Sequence, residues 1–180
     1  MIESSVITYS KVSGKKQMSP TESLTVQPKM LGFGQITIAS GETSICTILG
    51  SGIGIAIYDI ATQIGAVAHV VHATSTSTKK QELGRTADLA IEEMVNQLQQ
   101  QGAAIGCLQA KIAGGSLMFK NENKEALITA TIDEIKKQLQ IAKVQVLGED
   151  LRGTQGRKFI FNPIGCECSV EFADNTTRLI

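Results

Sequence analysis

The segment TILGSGIGIAIYD, residues 47–59, contains three glycines followed by alternating apolar residues. Ile53, Ile55 and Ile57 alternate with smaller residues, which is the period of a β-strand. A phosphate-binding loop of the G-x-x-x-x-G-K-[S/T] type needs a lysine after its glycines, and none follows here. A dinucleotide-binding loop needs its glycines to open a helix. Because these glycines open a strand, the segment predicts either a plain tight turn or an active site at a strand end.

The composition is that of one globular domain. The chain has 180 residues, of which 42% are hydrophobic and 19% charged, and this is enough for a packed core. Lys plus Arg number 17, as do Asp plus Glu, so the net charge predicts no nucleic-acid partner. No apolar run approaches the roughly 20 residues that span a bilayer, and the N-terminus lacks a secretory signal. We therefore expect a cytoplasmic protein that is not embedded in a membrane.

The cysteines give little support for a metal site. Cys46, Cys107, Cys166 and Cys168 form no Cys-x-x-Cys pair, and the chain has two histidines. Zinc sites in proteins use closely spaced cysteine and histidine ligands. The sequence therefore gives little support for a zinc site, and Cys166 and Cys168 are expected to be reduced, structural thiols.

The order of periodic segments predicts an α+β fold (a mixed α/β sandwich) with β-sheets flanked by two main amphipathic helices. Residues 1–30 are rich in Ser, Thr, Lys and Gln and are expected to be a flexible arm, with a short strand at Val6–Tyr9. Residues 31–180 are expected to form a single domain. Strands are predicted near residues 34–39, 44–49, 53–58, 66–72, 107–114 and 143–150, with a closing hairpin over 158–172.

The two helices are predicted from a change of period. From Leu83 the apolar residues fall on one helical face, and this helix is expected to end before Gly102. A second helix is predicted over residues 121–140, with an apolar stripe. The stripe comprises Leu127, Ile128, Ile132, Ile135 and Leu139. Both stripes are interpreted as core packing.

A histidine downstream of the glycines is the first candidate functional group. On the predicted strand, alternation places Val67, His69 and Val71 on one face and His72 on the other. The two histidines are therefore not expected to act as a pair. A single histidine on a strand is commonly a half-buried, hydrogen-bonded residue, so the residues alone leave its role open.

Several motifs, in order, resemble the CheD family of chemoreceptor glutamine deamidases. They are LGSGIGIAIYD followed by IGAVAHVV, then GRTADLAIEEMVNQLQQQGA, LQAKIAGGSLMF and GEDLRGTQGRKFIFNPIGCECSV. The resemblance extends over roughly residues 31–171. It implies a CheD-like fold, a cytoplasmic chemotaxis protein without metal or cofactor, and a chemoreceptor as partner. In some members a CheC-type phosphatase is a further partner.

The resemblance also implies a reaction. In the family, a cysteine thiolate attacks the carboxamide carbon of a receptor glutamine, ammonia leaves, and water hydrolyses the thioester to give glutamate. A histidine serves as base and acid, and an upstream threonine orients it. Carried over, the histidine is His69, the nucleophile position is Gly52, and the threonine position is Cys46.

Glycine cannot act as a nucleophile, so three interpretations stay open. The chain is a pseudoenzyme that retains a binding surface; or it uses a relocated nucleophile; or it is a true deamidase inactivated by a substitution at residue 52. Cys46, paired with His69, is the first candidate for a relocated nucleophile, and Ser51 is the weaker one. All three expect the His69 ring to point toward Ser51 and Gly52, with a hollow where the thiol would lie.

Overall fold

The computed structural model describes residues 27–75, 83–119 and 122–180. These residues form two five-stranded β-sheets and two α-helices, so the predicted α+β fold is confirmed. The strands are β1 Lys29–Met30, β2 Ile36–Ala39, β3 Ile45–Leu49, β4 Ile53–Asp59, β5 Ile64–Val70, β6 Gln109–Gly114, β7 Gln145–Leu151, β8 Arg157–Asn162, β9 Glu167–Phe172 and β10 Thr177–Leu179; the helices are α1 Ala87–Gln100 and α2 Glu122–Ile141.

The two sheets pack face to face. The first sheet has the strand order β1-β3-β8-β9-β10, and the second has the order β2-β5-β4-β6-β7. Strand β4 lies at the centre of the second sheet and pairs antiparallel with both β5 and β6. The predicted closing hairpin is confirmed as β8 and β9, which pair antiparallel in the first sheet.

The alternation in β4 divides the core into two parts. Ile53, Ile55 and Ile57 pack toward the helices, whereas Ala56 and Tyr58 belong to the core between the two sheets. Successive residues of a strand point to opposite faces, so this one segment contributes to both parts. The molecule consequently has three layers: helices, second sheet and first sheet.

Both helices cover the outer face of the second sheet. The buried residues of α1 are the predicted ones, from Ala87 to Leu98. The helix begins later than predicted, because residues 83–86 form bridges to Gly34 and His72 instead of a helical turn. In α2 the predicted stripe is buried except for Leu127, which is 63% exposed. Thr131, which was not part of the predicted stripe, is buried on this helix.

The first strand lies within the segment predicted as an arm. Lys29 and Met30 form β1, which pairs in parallel with β3. Residues 1–26, including the predicted strand Val6–Tyr9, lie outside the described residues, so that part of the prediction stays untested. Neither α1 nor α2 has the length and apolar character needed to span a membrane, and the same holds for every described helix.

Glycines allow the two sheets to approach closely at both ends of β4, at Gly54 near its start and at Gly65 of β5, which pairs with Tyr58 near its end. A Cβ added at Gly54 would lie 2.9 Å from Cδ1 of Phe159 and 3.0 Å from Cδ1 of Leu49. A Cβ at Gly65 would overlap the ring of Phe161. Both aromatic rings belong to the first sheet and both glycines to the second. This close approach brings side chains of β3 within hydrogen-bonding distance of β5.

Candidate functional site

His69 lies near the end of β5 and points into the space between the sheets. Its register partner on β4 is Gly54, which has no side chain to compete for that space. The neighbouring residues Ala68 and Val70 pack on the helix side instead. His69 is only 7% exposed, so it is a nearly buried polar residue at one end of the sandwich.

A hydrogen bond across the two sheets holds the His69 ring. The Thr47 hydroxyl oxygen on β3 lies 2.8 Å from Nδ1 of His69. Thr47 is fully buried, and it points inward because its neighbours in the strand, Cys46 and Ile48, point outward. Buried polar groups in native proteins are almost always hydrogen-bonded. This bond satisfies Nδ1 and sets the orientation of the ring.

The other ring nitrogen of His69 faces Gly52. A Cβ added at Gly52 would overlap Nε2 of His69, and it would lie 3.0 Å from Cδ2 of the same ring and 3.2 Å from the Val70 carbonyl oxygen. The expectation that His69 points toward residue 52 therefore agrees with the geometry. The expected hollow is absent, because the ring itself occupies the place into which a side chain at residue 52 would extend.

Burial disfavours the protonated form of the His69 imidazole. It lowers the pKa of His69, because the charged form loses its hydration while the neutral form loses little. Burial thus favours the neutral ring, whose Nε2 can donate or accept one hydrogen bond.

Backbone hydrogen bonds fix the loop that carries Gly52. The Gly115 amide donates to the Gly52 carbonyl oxygen at 3.0 Å, and the Ser116 amide donates to the Gly50 carbonyl oxygen at 2.8 Å. Both donors follow β6 in the AKIAGGS segment. Gly114 is required here, because a Cβ at its φ of +111° would overlap the Gly52 carbonyl oxygen. The glycines of this segment thus permit close backbone packing against the site.

The buried Arg157 binds Ser116, the residue whose amide is hydrogen-bonded to the Gly50 carbonyl oxygen of this loop. The Arg157 guanidinium donates from Nη2 to the Ser116 hydroxyl at 3.0 Å and from Nη1 to the Asp150 carbonyl oxygen at 2.9 Å. It also forms an ion pair with the Asp150 carboxylate, and both side chains are almost fully buried. The Ser116 hydroxyl donates in turn to the Gln155 carbonyl oxygen at 2.6 Å. The loop is therefore connected, through Ser116, to a buried hydrogen-bond network that includes Arg157 and Asp150.

Cys46 lies on the wrong face of β3 for the role expected of it. Its Sγ is 3.8 Å from the Pro28 carbonyl oxygen and 4.0 Å from Sδ of Met30, next to β1. Burial raises the pKa of this thiol, although the charge of Lys158 partly opposes that effect. The structure thus does not bring Cys46 and His69 together. Thr47, one residue further along, takes the place that the resemblance gave to Cys46.

Ser51 lies in the loop between Gly50 and Gly52 and is exposed to solvent. No hydrogen bond joins its hydroxyl to His69 among the described residues. Of the residues predicted for the site, the structure brings His69 and Gly52 together, whereas the Cys46 thiol contacts Pro28 and Met30.

Sequence reasoning missed two neighbours of His69. Alternation along β3 places Thr47 and Cys46 on opposite faces, but the sequence does not say which of the two faces meets His69. Phe33 gave no such signal, since it lies in a turn before β2. Its ring meets the His69 ring edge to face, with the centroids 6.4 Å apart.

Comparison with known proteins gives consistent results. Residues 72–172 match the family model described as CheD, chemotactic sensory transduction; this match begins after His69. The chain is 34% identical over 155 residues to the chemoreceptor glutamine deamidase CheD of Bacillus subtilis, covering 83% of this chain and 92% of that protein. It is 31% identical over 135 residues to the chemoreceptor glutamine deamidase CheD of Thermotoga maritima, covering 74% and 85%.

An archaeal relative extends the comparison. The chain is 35% identical over 126 residues to a probable chemoreceptor glutamine deamidase CheD of Methanococcus maripaludis, covering 69% of this chain and 82% of that protein. The extent of these matches, bacterial and archaeal, together with the family model, shows that this chain belongs to the CheD family.

Proposed function

We propose that this protein binds chemoreceptors through the site around His69 but does not deamidate them by the cysteine route. The observation that carries the proposal is the pairing of Gly52 with the His69 ring, which occupies the space for a side chain at residue 52. In this proposal the protein is a chemotaxis protein of the cytoplasm, and it acts by occupying receptor segments that a deamidase would modify.

The receptor is proposed as partner because of the relatives. The Bacillus subtilis and Thermotoga maritima proteins are named chemoreceptor glutamine deamidases. The features that position a family site are present here: a fixed glycine loop, a nearly buried histidine and a threonine on its Nδ1. The glycine loop, His69 and Thr47 are present although residue 52 has no nucleophile. This combination supports a binding function in place of catalysis.

The missing sulfur argues against the thioester route. That route needs a thiolate within bonding distance of the substrate carbon and next to the base. Residue 52 has no side chain, and the Cys46 thiol lies beside Pro28 and Met30. Loss of a covalent nucleophile commonly lowers kcat by about three orders of magnitude or more. A deamidase inactivated by substitution at residue 52 is the alternative, and a CheC-type phosphatase stays a proposed second partner.

One experiment tests binding and chemistry together. The full-length protein is incubated with the purified cytoplasmic fragment of a chemoreceptor that carries glutamine at its modification sites. Binding is measured by calorimetry, and ammonia release and the mass of glutamine peptides are followed in the same mixture. We expect measurable binding without conversion of glutamine to glutamate.

Two results would contradict this proposal. If the receptor fragment does not bind, the receptor is not the partner. If glutamine is converted at a rate that His69→Gln abolishes, the site retains hydrolytic chemistry. An active CheD relative, incubated in parallel, shows that the fragment is a competent substrate.

A further inference from the structure

Phe33 is an aromatic residue that is strongly exposed next to the nearly buried His69. It is 70% exposed, and its ring meets the His69 ring edge to face at an interplanar angle of 81°. Single exposed apolar residues are common on protein surfaces. Phe33 differs from these because its ring contacts His69, the nearly buried polar side chain that faces Gly52.

The backbone holds Phe33 in place on both sides. The Gly34 amide donates to the His69 carbonyl oxygen at 2.8 Å, and the His69 amide donates to the Gln35 carbonyl oxygen at 3.2 Å. The Gly32 amide is bound by the Gln35 side-chain oxygen at 2.9 Å. The turn that carries Phe33 is therefore attached to the same residue that its ring contacts, so little ordering is needed on binding.

A second exposed apolar side chain lies at the other end of the glycine loop. Met118 is 52% exposed, and a Cβ added at Gly50 would lie 3.3 Å from its Cε. Residues Gly50–Gly52 thus have Met118 at one end and, through His69, Phe33 at the other. Methionine adapts its shape to a partner, and aromatic rings give large contact area at low entropic cost.

Building on the proposed function, we propose that Phe33 is the specificity-determining residue that packs on the methylene stem of a receptor glutamine whose carboxamide meets Nε2 of His69. Met118 supplies a second apolar contact at the opposite end of the loop. A primary carboxamide on a methylene stem fits this arrangement, because it pairs one polar terminus with an apolar segment. Binding sites in proteins commonly combine apolar surface with a few precisely placed polar groups.

A double-mutant cycle tests the proposal on the full-length protein. The wild-type protein and Phe33→Ala are each titrated with the glutamine-bearing receptor fragment and with the same fragment carrying Gln→Ala at its modification sites. We expect Phe33→Ala to weaken binding of the glutamine fragment about tenfold, as for a buried aromatic contact. The alanine fragment should show little difference between the two proteins, since the contact is already lost.

Matched variants separate contact from folding. Leu179→Ala removes an equally exposed apolar side chain, 68% exposed, at the far edge of the first sheet, and it should leave binding within about twofold. Phe33→Leu keeps an apolar side chain without the aromatic ring, and it should weaken binding of the glutamine fragment about threefold. It replaces Phe33→Ala in the cycle if the alanine variant does not fold.

The outcomes distinguish the two proposals. Absence of binding by the wild-type protein rejects the receptor as partner. Binding that Phe33→Ala weakens equally for both fragments, or not at all, rejects the contact between Phe33 and glutamine while leaving the proposed function intact. If Phe33→Ala weakens binding of the glutamine fragment only, the contact is supported. A general loss of structure would instead weaken binding of both fragments by the same factor.

Discussion

The Thr47 hydroxyl and the Nδ1 atom of His69, 2.8 Å apart, form a hydrogen bond between the two sheets of the sandwich. Thr47 lies on β3 of the first sheet and His69 on β5 of the second. The bond therefore couples the orientation of the candidate functional ring to the packing of the whole sandwich.

Replacing Thr47 by valine should destabilise the protein by about 1–3 kcal/mol, because the buried Nδ1 of His69 loses its partner while the shape of the side chain is kept. Unfolding in urea measures the change. Thr131→Val is the matched control, since that buried hydroxyl bonds to the Leu127 carbonyl oxygen at 2.8 Å, which is already an acceptor within the helix. Equal losses in the two variants would contradict a specific role for the bond.

Replacing Gly52 by alanine should cost about 1–3 kcal/mol of stability, as expected of an added methyl group in a packed site. The new Cβ overlaps Nε2 of His69, so the ring must leave its position. Nuclear magnetic resonance of the His69 ring nitrogens reports that displacement. Gly106→Ala is the control, because no atom lies within 4 Å of a Cβ there. An unshifted His69 signal in Gly52→Ala would contradict the observed packing.

The stability of the protein should fall with decreasing pH through His69. Its pKa is lowered in the folded state, so below about pH 6.5 the unfolded chain binds a proton that the folded protein does not. The stabilising contribution is fully present above that pH and is lost as the pH falls through the folded-state value. His69→Gln should flatten this part of a plot of urea midpoint against pH. Parallel plots for the two proteins would contradict the assignment.

Replacing Arg157 by alanine should destabilise the protein by about 3 kcal/mol, because the nearly buried Asp150 carboxylate keeps only the exposed Arg178 as an ionic partner. The neighbouring residue provides a control. Lys158 pairs with Glu171 at 3.1 Å with both side chains about a third exposed, and Lys158→Ala should cost less than about 1 kcal/mol. Thermal unfolding compares the two variants, and similar losses would show that burial does not decide the difference.

Replacing Cys46 by serine should leave any residual hydrolysis of receptor glutamine unchanged, because the Cys46 thiol contacts Pro28 and Met30 instead of His69. The assay is ammonia release from the receptor fragment, with His69→Gln measured beside it. Loss of hydrolysis in Cys46→Ser alone would restore the relocated-thiol interpretation.

Much of the fold could be predicted because its signals are local. The alternation of Ile53, Ile55 and Ile57 predicts a strand whatever the rest of the chain does. The helical period of α1 likewise identifies its buried face in advance. The start of α1 could not be predicted, because residues 83–86 bond to Gly34 and His72, which are distant in sequence.

The sequence by itself determined the family and most of the strands and helices, and the family resemblance led us to expect His69 beside residue 52. The choice between Cys46 and Thr47 was made by tertiary structure. The two residues are neighbours on one strand, and only the packing of β3 against β5 decides which of them faces the ring. The same packing fills the expected hollow beside Gly52 with the His69 ring. Free space and side-chain contact depend on how two sheets approach each other, and the order of residues along one strand does not specify that distance.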